Sequence, residues 1–359
     1  MPLYSELKHS LIRRIVSGEY ESGGLIPSEN ELREQYEVSR VTVRKALEEM
    51  KDEGIISSTQ GQGTIVSDRR GGVKGALDII ALIAPVRNPF FASFLECFER
   101  ICRENGSLVL FKQDEKGSAL ESDELYYQLY IRNIRNIVLW PQSGLEQKTM
   151  LKRLRSIGMN IVFFDQIFET NVADCVGIDN RDAIESLLHA LRQEQQTAVG
   201  YIGFTGSGMP SEAQRGEAFA ELSGSEDCVY TIPWGGDIDR EVPRVLDQAR
   251  SSGSLPPALL CTNGPVGIAA ANYLQREGIE GILLAAVDLL PEMAAFRMFA
   301  YEQPMDRLAD TVYQRLLAQS NQSELWQAGT FLMRGEVVRC SGHDHTLDQR
   351  SVYGDRIQP

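Results

Sequence analysis

Two arginines one helical turn apart, Arg40 and Arg44, are the side chains of this sequence best suited to recognition chemistry. An arginine fork reads guanine bidentately, and one such contact contributes about 1–3 kcal/mol of discrimination between bases. Thr42 lies between the two arginines and can reach a phosphate or a base, while Ser39 and Lys45 flank the group. This spacing favours contact with double-stranded DNA. The competing interpretation is a pair of surface arginines that bind carboxylates of their own helix.

Two short helices are predicted to position these arginines. Ser28 and Glu31 have the spacing of a capping box, which predicts the start of the first helix. Ser39 can cap the second helix, whose apolar residues recur at i, i+3, i+4 and i+7 and so define one buried face. These residues are Val43, Ala46, Leu47 and Met50. Arg40 and Arg44 lie off that face, so we expect them to point outward.

A β-hairpin is predicted directly after the second helix. Its strands are Ile55–Ser58 and Thr64–Val66, with a glycine-rich tip between them. The tip consists of Gln60, Gly61, Gln62 and Gly63, and its glycines would let the backbone approach the minor groove while the glutamines donate hydrogen bonds. Helix, turn, helix and hairpin together are typical of a winged helix-turn-helix, which places one helix in the major groove.

The first 65 or so residues contain a spaced pattern: Pro2-Leu3-Tyr4, Ile15, Gly18, Pro27-Ser28-Glu29, Leu32, Val38-Ser39-Arg40, Thr42-Val43-Arg44, Ala46-Leu47, Glu53-Gly54 and Gly61-Gln62-Gly63-Thr64. This pattern resembles the DNA-binding domain of the gluconate-repressor (GntR) family of bacterial regulators. The resemblance implies that Asn30, in the first of these two helices, also faces DNA.

The net charge of the chain is −14, which does not favour binding to a polyanion. Even residues 1–70 hold ten Lys and Arg against twelve Asp and Glu. DNA binding requires local rather than total positive charge, and the cations gather at the N-terminal end of the second helix. We therefore expect weak non-specific binding and a marked dependence on salt and on dimerisation.

Length and composition indicate an ordinary globular protein of two or more domains. The chain has 359 residues, of which 43% are hydrophobic and 24% charged. No apolar run approaches the roughly 18 residues needed to span a bilayer, and the N-terminus does not resemble a signal segment. We therefore expect a cytoplasmic protein without a membrane segment. Six scattered cysteines are interpreted as buried, reduced thiols.

From Leu77 onward, apolar runs of three to seven residues alternate with amphipathic helical stretches. This alternation predicts βαβ units with parallel sheets covered on both faces. The number of predicted strands is larger than one domain usually contains, so we expect two α/β lobes. We expect a ligand in the cleft between them, at the carboxyl ends of the strands. The predicted strands are Ile79–Ala84, Leu108–Phe111, Ile137–Trp140, Ile161–Phe164, Val176–Ile178, Val199–Phe204, Val229–Ile232, Leu259–Cys261 and Ile282–Val287.

Six short motifs follow one another along this second segment: Asn88-Pro89-Phe90-Phe91, Ile161-Val162-Phe163-Phe164-Asp165, Arg215-Gly216 with Phe219, Cys261-Thr262-Asn263, Ala286-Val287-Asp288 and Gln303-Pro304. In their order and spacing they resemble the sensor domain of the lactose-repressor (LacI) family, which is itself similar to periplasmic sugar-binding proteins. Together the two resemblances imply a regulator of the arabinose-repressor type. The fold class that they imply is α/β, with an N-terminal winged helix-turn-helix and a two-lobed periplasmic-binding-protein-like domain.

Side chains at the predicted strand ends suit a sugar or polyol effector. Carboxylates, amides and an arginine fork pair with hydroxyls, and an aromatic ring covers an apolar sugar face. The candidate ligand-binding residues are Phe90, Phe91, Trp140, Asp165, Arg215, Asn263 and Asp288. For Asp165 a structural bond to a neighbouring loop is an open alternative, and Phe90 and Phe91 could be core residues.

Two positions depart from the pattern of the LacI family. Gly264 stands where the family usually has Asp, and Gln166 stands where it usually has Arg. These departures leave open an effector other than arabinose, including a small molecule that is not a sugar.

An enzyme is the alternative class of function. The four histidines supply few general bases, and no nucleophile elbow, phosphate-cradling loop or His-Glu-x-x-His motif occurs. Cys340, His343, Asp344 and His345 form one metal-like cluster, for which a polar turn is the preferred interpretation. The sequence therefore predicts a regulator with no catalytic residues, cofactor or metal.

The predicted domain organisation has four parts. It comprises a winged-helix domain over 1–68, a linker over 69–76, a two-lobed sensor over 77–345 and a tail over 346–359. The expected partners are a pseudo-palindromic DNA operator, a carbohydrate effector and a second copy of the chain in a homodimer. A candidate dimer contact is the helix that carries Phe94 and Phe98, although core packing explains the same residues.

Overall fold

The chain contains two compact units in the computed structural model. The first unit comprises residues 1–176 and 306–331, and it contains an N-terminal head and an α/β lobe, termed the first lobe. The second unit comprises residues 177–305 and 332–359 and is termed the second lobe. The structure describes residues 2–59, 63–67, 77–85, 89–114, 123–141, 148–168, 171–194, 198–224, 228–321 and 326–341.

The head has the predicted order of elements. The capping box is present, since the Ser28 side chain accepts from the Glu31 N–H while the Glu31 carboxylate accepts from the Ser28 N–H. The Ser39 hydroxyl accepts from the Thr42 N–H and so caps the next helix. The elements are α1 (Leu3–Val16), α2 (Glu29–Tyr36), α3 (Arg40–Asp52), β1 (Ile56–Thr59) and β2 (Gly63–Val66).

The apolar face predicted for α3 is confirmed. Val43, Ala46 and Met50 are fully buried, and Leu47 is nearly so. Strands β1 and β2 pair antiparallel with Ile56 opposite Val66, one residue longer at the tip than the sequence predicts. The predicted wing residues Gln60, Gly61 and Gln62, the linker over 69–76 and the tail over 346–359 lie outside the described residues.

The body alternates strands and helices. In chain order it contains β3 (Ile79–Ala84), α4 (Pro89–Glu104), β4 (Leu108–Gln113), α5 (Asp123–Ile131), β5 (Asn136–Leu139), α6 (Lys148–Ser156), β6 (Asn160–Phe164), β7 (Asp174–Ile178), α7 (Asn180–Gln193), β8 (Val199–Thr205), α8 (Pro210–Leu222), β9 (Cys228–Pro233), α9 (Ile238–Ser251), β10 (Ala258–Cys261), α10 (Gly264–Arg276), β11 (Leu283–Val287), β12 (Arg297–Glu302), α11 (Met305–Asn321), β13 (Thr330–Met333) and β14 (Glu336–Ser341).

Each lobe is built on a six-stranded sheet. The first has the order β4-β3-β5-β6-β7-β13, and the second has the order β9-β8-β10-β11-β12-β14. Strands β3 to β7 pair in parallel, as do β8 to β12, whereas β14 pairs antiparallel with β12. Parallel pairing brings the carboxyl ends of neighbouring strands to one edge of each sheet. The prediction of two parallel-sheet α/β lobes is confirmed.

All nine predicted body strands occur, and three further strands, β12, β13 and β14, follow them in the chain. Strand β13 alternates between exposed and half-buried residues, so it has no continuous apolar run. Strand β12 has a buried run of four apolar residues between Arg297 and Glu302, as long as the predicted run Ile137–Trp140, so its pattern does not explain the omission. Periodicity detects strands that are buried on both faces more readily than a strand such as β13.

Phe94 and Phe98 of α4 are fully buried within the first lobe. The Phe94 ring stacks on Phe164 of β6 with the centroids 3.6 Å apart, and Phe98 stacks on Phe94 at 5.4 Å. The core-packing interpretation of these two residues is therefore confirmed, and neither side chain is available to a second chain.

All six cysteines are free thiols, but Cys97 and Cys228 are half-buried rather than buried as predicted. Burial raises the pKa of Cys261 to about 12. Within the described ranges, no helix is long and apolar enough to cross a membrane. No group of three His, Cys, Asp or Glu side chains in the part of the chain that the structure describes could hold a metal ion. His343, Asp344 and His345 of the metal-like cluster lie outside that part.

Candidate functional site

The N-terminal end of α3 presents the side chains predicted to contact DNA. The side chains of Arg40 and Arg44 are 60% and 53% exposed, so burial does not prevent either from reaching a ligand. Asn30 and Ser39 are also exposed, while Thr42 is half-buried and its hydroxyl lies 2.8 Å from that of Ser39. The structure therefore brings these predicted residues together on one exposed surface of the head.

Both arginines bind a carboxylate that the sequence analysis did not select. The Nε atoms of Arg40 and Arg44 donate to Oε2 of Glu29, at 3.3 and 3.1 Å. Burial raises the pKa of Glu29, but the hydrogen bonds from Arg44 and Arg40 outweigh it, so this pKa lies below its usual value. Glu29 therefore stays ionised at neutral pH and sets the orientation of both arginines.

Replacing Glu29 with glutamine is expected to raise the affinity for DNA of any sequence by about two- to tenfold. The substitution removes a negative charge that competes with phosphates for Arg40 and Arg44. Binding of non-specific duplexes would be measured by fluorescence anisotropy at two salt concentrations. Glu34→Gln is the matched control, because its 75% exposed carboxylate lies on the same helix and pairs with Arg33. Weaker non-specific binding by Glu29→Gln would show that the carboxylate assists the contact.

Lys45 and Gly63 have identifiable roles within the head. The Lys45 ammonium lies 3.8 Å from the centroid of the Tyr4 ring, a cation–π contact that ties α3 to α1. Gly63 has φ +89°, and an added Cβ would lie 2.9 Å from Cδ2 of Leu25. Glycine therefore satisfies both the backbone conformation and the space at the base of the hairpin.

The first lobe brings its four predicted effector residues into contact. Trp140 and Asp165 directly follow β5 and β6, and the indole Nε1 donates to Asp165 Oδ2 at 2.8 Å. Phe91 packs edge-on against Trp140 at 5.0 Å, and Phe90 packs edge-on against Phe91 at 5.2 Å. All four are buried, and the roles of Phe90 and Phe91 in effector binding stay a prediction.

Gln166, one of the two departures from the family pattern, completes this cluster. It is fully buried, and its amide nitrogen donates to the same Asp165 oxygen at 2.8 Å. Asp165 has φ +65°, a left-handed conformation that Asp tolerates better than most residues. The Asp165 carboxylate therefore binds the Trp140 indole at the end of the neighbouring strand and the amide of the next residue, Gln166.

In the second lobe, Arg215 lies in a buried polar network. Its Nε donates to Asn180 Oδ1 and its Nη1 to the Thr262 carbonyl, both at 2.8 Å. The Thr262 hydroxyl donates to Glu212 at 2.6 Å and accepts from Tyr201 at 3.0 Å. Burial raises the pKa of Tyr201, as the Glu212 carboxylate also does. Arg215 thus links α7 and α8 to the carboxyl end of β10.

Asn263 and Asp288 meet at the N-terminal end of α10. The Asn263 side chain caps this helix by accepting from the Val266 N–H at 3.1 Å, while Asp288 accepts from the Gly264 N–H at 3.3 Å. Like Asp165, Asp288 follows a strand and has positive φ, here +84°. A Cβ on Gly264 would lie 2.6 Å from Leu290 Cδ1, so the Leu290 side chain would have to shift to admit the aspartate usual in the family.

Gln303 is a buried polar residue beside Asp288 for which the sequence predicts no ligand role. Its side chain is 94% buried, since its relative exposure is 6%, and its amide nitrogen donates to Asp288. Its Oε1 accepts no hydrogen bond from the residues that the structure describes. The Gln303-Pro304 pair is the only sequence signal for this position, and no pattern assigns a site role to Glu29, Asn180 or Glu212.

Comparison with known families identifies the head. Residues 3–66 match the family model described as "Bacterial regulatory proteins, gntR family". A probable fructoselysine utilization operon transcriptional repressor of Escherichia coli is 41% identical over 68 residues, which are 19% of this chain and 28% of that protein. An arabinose metabolism transcriptional repressor of Geobacillus stearothermophilus is 29% identical over 126 residues, 35% of each chain. The chain thus spans about a third or less of the length of these relatives.

A longer match extends into the body. The HTH-type transcriptional regulator PtxS of Pseudomonas aeruginosa is 26% identical over 257 residues, covering 69% of this chain and 74% of that protein. These relatives are named as transcriptional regulators rather than enzymes, in agreement with the sequence prediction.

Solved structures share the fold of the body. The Cra transcriptional dual regulator of Pseudomonas putida, in complex with fructose 1-phosphate, superposes with a TM-score of 0.61 at 18% identity, covering 73% of this chain and 98% of that chain. An arabinose-binding periplasmic protein of Shewanella sp. ANA-3 superposes with a TM-score of 0.62 at 13% identity, covering 73% and 91%.

The protein therefore combines an N-terminal domain of a DNA-binding type with a body that has the fold of periplasmic binding proteins and LacI-type regulators. Its N-terminal domain is a GntR-type helix-turn-helix, and its homologues include repressors named for sugar metabolism.

Proposed function

We propose that this protein is a sequence-specific DNA-binding transcriptional repressor whose operator affinity changes when a sugar or sugar-like effector binds its body. The observation that carries the proposal is the GntR-type head with Arg40 and Arg44 exposed at the capped end of α3, on a chain whose body has the LacI-type fold. The names of the relatives, which refer to fructoselysine and arabinose, support a carbohydrate effector.

DNA reading would centre on the N-terminal end of α3. Arg40 and Arg44 would read guanines, with Thr42 and Ser39 on phosphates. Val41, between them, is an apolar side chain that is 76% exposed. In the major groove such a side chain suits the methyl group of thymine, so Val41 would add discrimination that polar contacts do not supply.

Effector recognition would use polar groups at the strand ends. In the second lobe these are Asp288, Asn263 and the unoccupied acceptor Oε1 of Gln303, which suits a ligand hydroxyl. In the first lobe, Trp140 offers an aromatic wall beside the Asp165 carboxylate. An effector acts only through its different affinities for two conformations of the protein. Release from DNA and tighter binding to DNA are both compatible with these residues.

A homodimer would bind a pseudo-palindromic operator, because paired half-sites require paired heads. Leu108 and Leu110 on the edge strand β4 are 69% and 44% exposed. Exposed apolar side chains on an edge strand offer a surface for association with another chain. We expect Leu108→Lys to shift the sedimentation coefficient toward that of the monomer. An unchanged dimer would exclude this edge as the interface.

A thermal-shift screen tests the effector proposal. The probes would be pentoses, hexoses, uronic acids, sugar phosphates and polyols. A ligand at 100 times its Kd is expected to stabilise the protein by about 2.7 kcal/mol, a clearly measurable rise in Tm. Asp288→Asn should abolish the shift while tolerating the positive φ at that position. The exposed Asp239→Ala of the same lobe should leave the shift unchanged.

The outcomes of the screen separate the candidate functions. A sugar that stabilises the wild type and changes its affinity for DNA would support the whole proposal. Operator binding without any sugar response would retain the regulator and contradict the carbohydrate effector. Gln166 and Gly264, where this chain departs from the family pattern, would then indicate an effector of another class.

A further inference from the structure

The head packs against the first lobe through the face of α1 opposite to the helix that presents Arg40 and Arg44. Buried residues of the head and of the first lobe form one continuous hydrophobic cluster, which includes Leu11 and Ile15 of α1 together with Tyr127 and Tyr130 of α5. Tyr127 is only 4% exposed. The two parts therefore share a core within the first unit.

Polar and ring contacts between α1 and α5 fix how the head is oriented on the first lobe. We term the set Asp123, Glu124, Tyr127 and Arg153 of the first lobe the head-docking face. Arg13 of α1 pairs with Glu124, and its guanidinium carbon lies 4.3 Å from the centroid of the Tyr127 ring. His9, one turn earlier on α1, meets the same ring edge-on at 6.5 Å.

Arg153 of α6 caps the end of the first head helix. Its Nη1 donates to the carbonyl of Ser17, the C-cap of α1, at 2.6 Å, and its Nη2 donates to Asp123 of α5. A cation at a helix C-terminus satisfies a carbonyl that has no partner within the helix, and it complements the negative end of the helix dipole. Gly18, next in the chain, would place a Cβ 2.7 Å from Cδ of Arg153. A side chain at position 18 would therefore overlap the Arg153 side chain in this position, whereas glycine leaves room for it.

We propose that the head-docking face is a binding site for the protein's own head that stays occupied when the protein binds DNA. The head then moves with the first lobe as one body, and the first lobe sets the direction of α3. The docked pose leaves Arg40, Val41 and Arg44 exposed, so it does not block DNA contact. In the chain, α5 precedes β5 and α6 follows it, and Trp140 lies directly after β5. A rearrangement at the proposed effector residues would therefore reach the head through these two helices.

Charge reversal tests the docked pose without DNA. Arg13→Glu and Glu124→Arg each replace an attraction by a repulsion at side chains that are 57% and 53% exposed, so both variants should fold. Each is expected to speed amide hydrogen exchange of α5 in the full chain by about fivefold. The double variant should restore protection. Arg103→Glu, in an exposed pair with Glu99 on α4, is the matched control and should not change it.

Failure of the double variant to restore protection would overturn the docking face, as would unchanged exchange in both single variants. This measurement requires neither operator nor effector. It therefore remains decisive for the docking face even if the proposed regulator function is wrong.

A second measurement tests whether the pose persists on DNA, and this part rests on the proposed function. Duplexes selected in vitro from random DNA by the wild type would be prepared with both half-sites or with one. Arg13→Glu is expected to weaken binding of the two-half-site duplex about tenfold and to leave the half-site duplex nearly unchanged, because only paired sites require fixed heads. The double variant should restore the affinity. Equal loss on both duplexes, or no loss on either, would contradict the proposal.

Discussion

Replacing Arg44 with alanine is expected to weaken binding to a selected operator duplex by about ten- to a hundredfold. The estimate follows from a bidentate contact with guanine, which contributes roughly 1–3 kcal/mol of discrimination. The Arg44 side chain is exposed and is held by Glu29, so its removal does not disturb the core of the head. Fluorescence anisotropy against the operator and a scrambled duplex would measure the change.

Two further variants distinguish base reading from charge. Arg44→Lys keeps the charge but loses the planar fork, so specificity should fall nearly as far as in the alanine variant. Lys51→Ala removes one charge from the other end of α3 and serves as the control, since it should reduce affinity only slightly. A uniform loss across all duplexes would instead identify Arg44 as a phosphate contact.

The same experiment tests the separation of domains. Arg44→Ala should leave the stabilisation by any effector found in the thermal screen unchanged, because the arginine lies in the head. Equal loss of DNA binding and effector binding would contradict that separation.

Replacing Arg215 with alanine is expected to lower the stability of the second lobe by about 3–5 kcal/mol. This cost is typical when one partner of a buried charged network is removed. Asn180, the Thr262 carbonyl and Glu212 would lose their shared cation inside the lobe. A loss of this size lowers the melting temperature by roughly 6–20 °C, which calorimetry of the full chain would resolve.

Arg181→Ala is the matched control for Arg215. Arg181 lies on α7 of the same lobe, and its side chain is 55% exposed in a surface pair with Glu221. Surface pairs of this kind contribute about 0–1 kcal/mol, so the melting temperature should change little. If Arg215→Ala melted like the wild type yet lost its response to effector, the side chain would serve the effector rather than the fold.

These two predictions differ in how far the sequence alone supports them. The position of Arg44 on an amphipathic helix predicts its role from sequence, and the structure shows in addition its ion pair with Glu29. For Arg215 the sequence resemblance implies an effector contact, whereas the structure shows donors bonded to Asn180 and Thr262. The structural role of Arg215 depends on residues 35 and 47 positions away, which no local pattern could identify.

Local chemistry determined much of this protein from sequence alone. The capping box at Ser28 and Glu31, the apolar period of α3 and the buried runs of the parallel strands involve residues within a few positions of each other, and each is present. The placement of Trp140, Asp165 and Asp288 directly after strands follows from the same runs. Short-range hydrogen bonds and side-chain periodicity suffice for such features.

Tertiary structure alone decided the partners of those side chains. It paired Arg40 and Arg44 with Glu29 of the preceding helix, bound Asp165 to Trp140, and packed the Leu290 side chain against Gly264. It also placed Arg153 on the end of α1, 136 positions away in sequence. Contacts between distant residues depend on how packed elements fit together, and the periodicity of a single segment carries no information about that fit.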